Sequence, residues 1–151
     1  MNVRLYFDDF ELSGYENIKV GSVEELSQLD KFDLGELDEL ILDHVADYFP
    51  INKVEEILNR LSKFVKRGGK FIVQGTDLYE ICKSYTNYNI DMVEANKVIY
   101  GNNPDRVKRV SFTAVGISSF LEQVVQLKIV KKRISNFTYM IEAIRWVNKE
   151  K

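Results

Sequence analysis

The chain is 151 residues long, with 45% apolar and 12% aromatic residues, enough for one domain with a real core (residues 1–151) and too few for two of ordinary size. Cys82 and His44 are the only residues of their kinds, which excludes an internal disulfide and argues against a Cys/His zinc site. With no apolar run near the roughly 20 residues that cross a bilayer and no signal-peptide pattern at residues 1–10, the expectation is a soluble, cytoplasmic protein. The net charge of -2 conceals an asymmetry: residues 1–50 hold 13 acidic and 3 basic side chains, residues 51–151 hold 10 acidic and 18 basic. Such a division fits head-to-tail self-association or docking of an anionic substrate, or two halves that interleave until their fields cancel. No nucleic-acid recognition motif is present.

In chain order, residues 3–7 alternate like a strand, and residues 15–20 can form a second after the Ser13-Gly14 turn. The gap between them is shorter than the dozen or more residues of a conventional parallel crossover, so the usual first helix is missing or reduced to a loop. Ser22 with Glu25 makes a capping-box pattern for a short helix over residues 23–29, and residues 37–42 form a buried strand. Apolar residues from Ile51 to Val65 recur at helical spacing, with Asn52 and Glu55 as a capping box and Gly68 as the left-handed stop. Residues 70–74 are the next strand, and Asp77 with Glu80 caps a helix running to about Ser84.

Residues 85–109 are more polar, with packing for a short helix over residues 90–100. Loops beyond about 12–15 residues are commonly functional or irregular. Thr113 caps a helix that contains Ile117, Phe120, Leu121, Val124 and Val125. Residues 128–134 and 137–146 then read as an antiparallel hairpin around Ser135-Asn136.

From Tyr15 to Arg145 this order resembles the small class I S-adenosylmethionine-dependent methyltransferases with a compact N-terminal half. The segment DHVADYFP at 43–50 resembles that family's HVLEHF segment, with His44 on its first histidine and Asp47 on its glutamate. LSKFVKRGGKFIVQGTDL at 61–78 resembles its glycine-glycine turn, strand and acidic residue, placing Asp77 on that acid. The resemblance implies an α/β, three-layer Rossmann-like methyltransferase fold: a mostly parallel sheet, an antiparallel C-terminal hairpin, a reduced N-terminal half and helices on both faces.

The family's cofactor turn is where this chain departs. Glycines let backbone amides approach a cofactor, and an acid ending the second strand holds both ribose hydroxyls. Here no two glycines are spaced two apart, the first turn carries Phe7, Asp8, Asp9 and Phe10, and Lys19 stands at the ribose position, where an ammonium cannot accept a hydrogen bond. The resemblance implies S-adenosylmethionine as cofactor, with Phe7, Asp8, Asp9, Glu16 and Asp43 around it. His44, with Asp47 beside it, then stands near a small-molecule or saccharide acceptor, as general base or as a hydrogen-bonded structural histidine. The competing readings are a catalytically inactive scaffold or assembly protein, homo-oligomeric or heteromeric, and a ligand-binding module without turnover. Cys82 reads as packing, and Lys108 with Arg106 and Arg109 as an exposed loop.

Overall fold

The computed structural model describes residues 1–6, 12–20, 22–101 and 107–146. Six strands form one sheet: β1 (Asn2–Tyr6), β2 (Glu16–Lys19), β3 (Leu37–Asp43), β4 (Val65–Thr76), β5 (Lys128–Ser135) and β6 (Thr138–Ile144), in the order β2-β1-β3-β4-β6-β5. The pairs β1–β2, β1–β3 and β3–β4 are parallel, and β6 runs antiparallel to both β4 and β5. The chain winds outward from β1 to β2 and then returns to place β3 on the other side of β1. The carboxyl ends of β1 and β3 therefore flank the point where the winding reverses, where open α/β sheets bind ligands.

One face of the sheet carries Val3, Leu5, Ile18, Leu40, Leu42, Phe71, Val73, Tyr139, Ile141 and Ala143, all in a single buried cluster. Strand alternation puts these residues on the same side, and they are capped by Leu26 and Leu29, by α1 (Val54–Ser62) through Ile57, Leu58 and Leu61, and by α4 (Ala114–Gln123) through Ile117 and Leu121. Registered opposite them are Arg4, Asn17, Ile41, Asp43, Ile72 and Glu142, a mixed charged and apolar second face that Tyr15 crosses, its hydroxyl donating to Glu39 at 2.6 Å. No described residue between β1 and β2 is helical, which is the reduced N-terminal half. Two further helices, α2 (Leu78–Thr86) and α3 (Met92–Tyr100), pack on each other beyond the carboxyl end of β4.

Four local expectations change. The segment after Ser22 is a 3-10 helix over Glu24–Lys31, and the expected Ser22 side-chain cap does not form. Its apolar residues Val23, Leu26, Leu29 and Phe32 fall every third position, the period at which 3-10 side chains eclipse. Instead of one helix over residues 51–65, a 3-10 turn at Ile51–Lys53 leads into α1, whose first turn has no side-chain cap, and β4 already begins at Val65. Val65 pairs with Leu37, and Gly68, at φ +80°, absorbs the register shift between Leu37 and Glu39 as a bulge rather than a helix stop. Cys82 is exposed. In α2 only Ile81 is buried, so the adjacent position turns outward.

The Asp77 and Thr113 caps form as expected, accepting from Glu80 N at 3.2 Å and Gly116 N at 2.9 Å. The charged halves interleave. Asp30 pairs with Arg60 at 3.0 Å, Asp38 with Lys66 at 2.6 Å, and Asp47 with Lys108 at 3.7 Å. Among the described residues, no helix is long and apolar enough to cross a membrane.

Candidate active site at the carboxyl end of β3

Asp43 closes β3, and His44 leaves the strand in a left-handed conformation, φ 59°, while its backbone N–H still donates to Gln74 O of β4 at 2.9 Å. A non-glycine residue in that region costs of order 1–3 kcal/mol and is found where the surroundings hold it. The twist brings the half-exposed imidazole between two carboxylates. Nδ1 lies 3.5 Å from Asp47 Oδ2 and Nε2 lies 3.9 Å from Asp43 Oδ1.

Asp47 belongs to a one-turn 3-10 helix, Ala46–Tyr48, and is fully buried. Burial of a carboxylate requires partners, and it has them: Oδ2 accepts from Thr76 Oγ1 at 3.0 Å and Thr76 N at 3.2 Å. Lys108 Nζ stands 3.7 Å away and itself donates to Thr76 Oγ1 at 2.7 Å and Val98 O at 3.2 Å. The Asp47 carbonyl accepts from Arg109 N at 2.7 Å and Val110 N at 3.1 Å. Asp47 thus ties the end of β4 to the segment that follows α3, and Lys108 is a half-buried strut of that tie rather than an exposed loop residue.

Asp43 is held from the other side by Arg4, which strand alternation alone would only place on the second face. Arg4 is 2% exposed, and its guanidinium meets Asp43 Oδ2 through Nε at 3.0 Å and Nη2 at 2.6 Å, while Nη1 donates to Asn17 Oδ1 at 3.2 Å. One side chain therefore spans β3, β1 and β2. Asp43 Oδ1 is the carboxylate oxygen nearer His44.

Behind Asp47, Tyr139 is fully buried with a hydroxyl that has no hydrogen-bond partner among the described residues. Burial, then the charges of Asp47 and Asp77, push its phenol well above the ordinary range, so the hydroxyl stays protonated. Gly75 makes this convergence fit: a Cβ there would stand 2.5 Å from Tyr139 Oη and 2.7 Å from Asp47 Oδ1.

The structure thus brings together His44, Asp47 and Asp43 of the expected site and adds Arg4, Thr76, Lys108 and Tyr139. Glu16 is not brought to them: it opens β2 opposite Val3, toward the amino end of the sheet, and pairs with Lys31. Phe7, Asp8 and Asp9 lie outside the described residues, as does Arg106. Asp77 is a helix cap and also accepts from Ala114 N at 3.1 Å, joining α2 to α4. Tyr79, Tyr85, Tyr88 and Tyr100 are all exposed, on α2, α3 and the turn between them.

No family model matches the chain, and no curated protein matches it. Solved structures do. A SAM-dependent methyltransferase from Methanosarcina mazei superposes with a TM-score of 0.55 at 15% identity, over 78% of this chain and 63% of that one. An O-methyltransferase family protein from Burkholderia thailandensis gives 0.57 at 13% identity, over 89% and 37%. A SAM-dependent methyltransferase from Archaeoglobus fulgidus gives 0.52 at 13% identity, over 93% and 74%. The chain thus spans less than two thirds of the first two relatives. At these identities the likeness is one of architecture, and the fold of this chain is that of the class I S-adenosylmethionine-dependent methyltransferases.

Proposed function

We propose that the chain is an S-adenosylmethionine-dependent methyltransferase acting on a small-molecule or saccharide acceptor, with His44 as the group that takes the acceptor's proton. The observation that carries this reading is the position of His44: a left-handed histidine at the switch point of a methyltransferase-type sheet, its two ring nitrogens directed at Asp47 and Asp43. The buried Asp47, fixed by Thr76 and Lys108, stabilises the positive charge that the ring acquires when it accepts a proton. That is the arrangement a general base needs. Asp43, held by Arg4, stands 3.9 Å from Nε2, too far for a hydrogen bond, so that nitrogen can meet an acceptor's proton while Asp43 Oδ1 can accept from a hydroxyl.

The described residues fit the cofactor in part. Asp43 Oδ1 can accept from a ligand hydroxyl; Tyr6 ends β1, the strand next to β3, and its carbonyl accepts from the N–H of Val20, just past β2, at 2.8 Å. At the ribose position, however, β2 ends in Lys19, which offers donors only. Bound there, the cofactor would supply an electrophilic methyl group; the chain's own part is to orient the acceptor and remove its proton.

Arg4 favours a second reading. Its charge is spent inside the chain on Asp43 and Asn17, clamping three strands at the place where a ligand would otherwise bind, which suits a methyltransferase-like scaffold acting through protein association. Isothermal titration with S-adenosylmethionine and S-adenosylhomocysteine separates the two. Micromolar binding supports the enzyme, and no heat at millimolar ligand supports the scaffold.

A further inference from the structure

At the amino end of β4, opposite the His44 cluster, lies a cleft of about 310 Å³ between the end of α1, the turn after α4 and the end of β6. Its charged lining is Lys63, Arg67 and Arg145, with Asn59, Gln126 and Trp146 also on its walls, and among the described residues no carboxylate lines it. Elsewhere the described cations commonly meet an acid: Arg4 with Asp43, Lys31 with Glu16, Arg60 with Asp30, Lys66 with Asp38, Lys70 with Glu142. Neither Lys63 nor Arg145 has a carboxylate partner among the described residues. A fourth cation, Lys128 Nζ, sits 5.7 Å from the centroid of the Trp146 ring.

The cleft is also held in shape. Arg145 Nη1 donates to Val65 O at 2.8 Å and Lys63 O at 3.2 Å. Its backbone is fixed on both sides, accepting from Gly68 N at 2.7 Å and donating to Gly69 O at 3.1 Å. The guanidinium is therefore preset, and binding costs little of its side-chain freedom. Gln126 on the rim adopts a left-handed backbone, φ 63°. Trp146 is 42% exposed, presenting aromatic surface beside the cations.

We propose that this cleft binds a phosphate-bearing ligand, the anion held by Lys63 and Arg145 and an attached planar ring resting against Trp146. The volume falls at the small end of ligand sites, which run about 300–1,000 Å³, so it suits a mononucleotide or one nucleotide of a strand. Guanidinium forks match phosphate oxygens, and aromatic faces tolerate any base. The site is separate from the His44 cluster and stands whether or not the chain transfers methyl groups. The competing explanation is that Lys63 merely offsets the negative end of the α1 dipole, which would leave the cleft without affinity for any ligand.

The chain contains one tryptophan beside eight tyrosines, so emission excited where tyrosine does not absorb reports on this cleft alone. Titration with adenosine monophosphate should give a saturable change with a Kd of about 1 mM or tighter. Lys63→Glu, an exposed change, should weaken it about tenfold or more while the thermal melt stays in place. Inorganic phosphate should compete. A short single-stranded oligonucleotide tests the source of the phosphate: if it binds more tightly than the mononucleotide and loses affinity in Lys63→Glu, the ligand is a nucleic-acid strand, and if it binds more weakly, the ligand is a free nucleotide. The proposal is overturned if neither probe changes the fluorescence at about 10 mM, or if Lys63→Glu binds the mononucleotide as tightly as the parent does.

Discussion

The Arg4 guanidinium grips Asp43 across the junction of β1 and β3, through Nε at 3.0 Å and Nη2 at 2.6 Å, with 3% and 18% of the two side chains exposed. A buried pair adds little net stability over apolar residues of the same size, yet removing one partner is costly because the other charge is left behind. Arg4→Ala should therefore destabilise the fold by about 3 kcal/mol, lowering the melting temperature by roughly 6–12 °C for a chain of this length. The double change Arg4→Met with Asp43→Leu should recover most of that loss. A single variant that melts within a degree of the parent would show that the pair holds nothing together.

Tyr139 and Gly75 make a second, independent case. An unpartnered buried hydroxyl contributes only its desolvation cost, so Tyr139→Phe should leave the protein as stable as before or more stable by about 1 kcal/mol in urea denaturation. Gly75→Ala should cost about 1–3 kcal/mol, because its methyl meets both Tyr139 and Asp47. Combined with Tyr139→Phe, part of that cost should disappear, giving a coupling of about 0.5 kcal/mol or more. Strict additivity would mean that Gly75 is not what lets the two oxygens approach.

Much of this fold is readable in the chain because the decisive signals are local. The Asp77 and Thr113 caps and the Lys128–Ser135 and Thr138–Ile144 hairpin each depend on residues within a few positions of one another, and they form where expected. The Asp91 cap of α3, bonded to Glu94 N at 2.8 Å, follows the same acid-x-x-glutamate rule inside a stretch whose polarity hides it. Where long-range pairing decides, sequence alone misleads. Phe64 and Val65 continue the periodicity of α1, but pairing of Val65 with Leu37 draws them out of the helix.

The candidate site divides along the same line. His44, Asp43 and Asp47 are adjacent in the chain and were visible together. Arg4, Thr76, Lys108 and Tyr139 reach them only through strand register and burial across 29 or more positions. An arginine between Val3 and Leu5 carries one usable signal, strand alternation, and that assigns a face without naming a partner.

Alkaline titration examines the second sheet face. Burial, and then the hydrogen bond and charge of Glu39, raise the Tyr15 phenol from 10.0 to about 12. A group whose folded value is raised contributes stability fully present below its unfolded value and lost as pH rises through the folded one. The stabilisation from Tyr15 should thus be intact below pH 10 and vanish between pH 10 and about 12. Tyrosinate absorbance of the parent minus that of Tyr15→Phe should show a step near the top of this window. A step near pH 10 would mean that Tyr15 does not lie on Glu39.

His44 joins backbone strain to proposed chemistry, and the two can be separated. Glycine adopts φ near 59° freely, and asparagine does so more readily than most residues. His44→Gly and His44→Asn should therefore keep the fold within about 1 kcal/mol of the parent. Proton removal from the acceptor should nevertheless fall by about 10²- to 10⁴-fold in both, the usual share of a positioned base, read as S-adenosylhomocysteine released with a panel of hydroxylated acceptors. Asp47→Asn should act differently. Its amide cannot balance the imidazolium charge, and it also weakens the Thr76 and Lys108 tie, so turnover and stability should drop together. Turnover unchanged in His44→Gly would remove the histidine from the reaction and leave its left-handed turn as a strand-ending device beside the Arg4–Asp43 clamp.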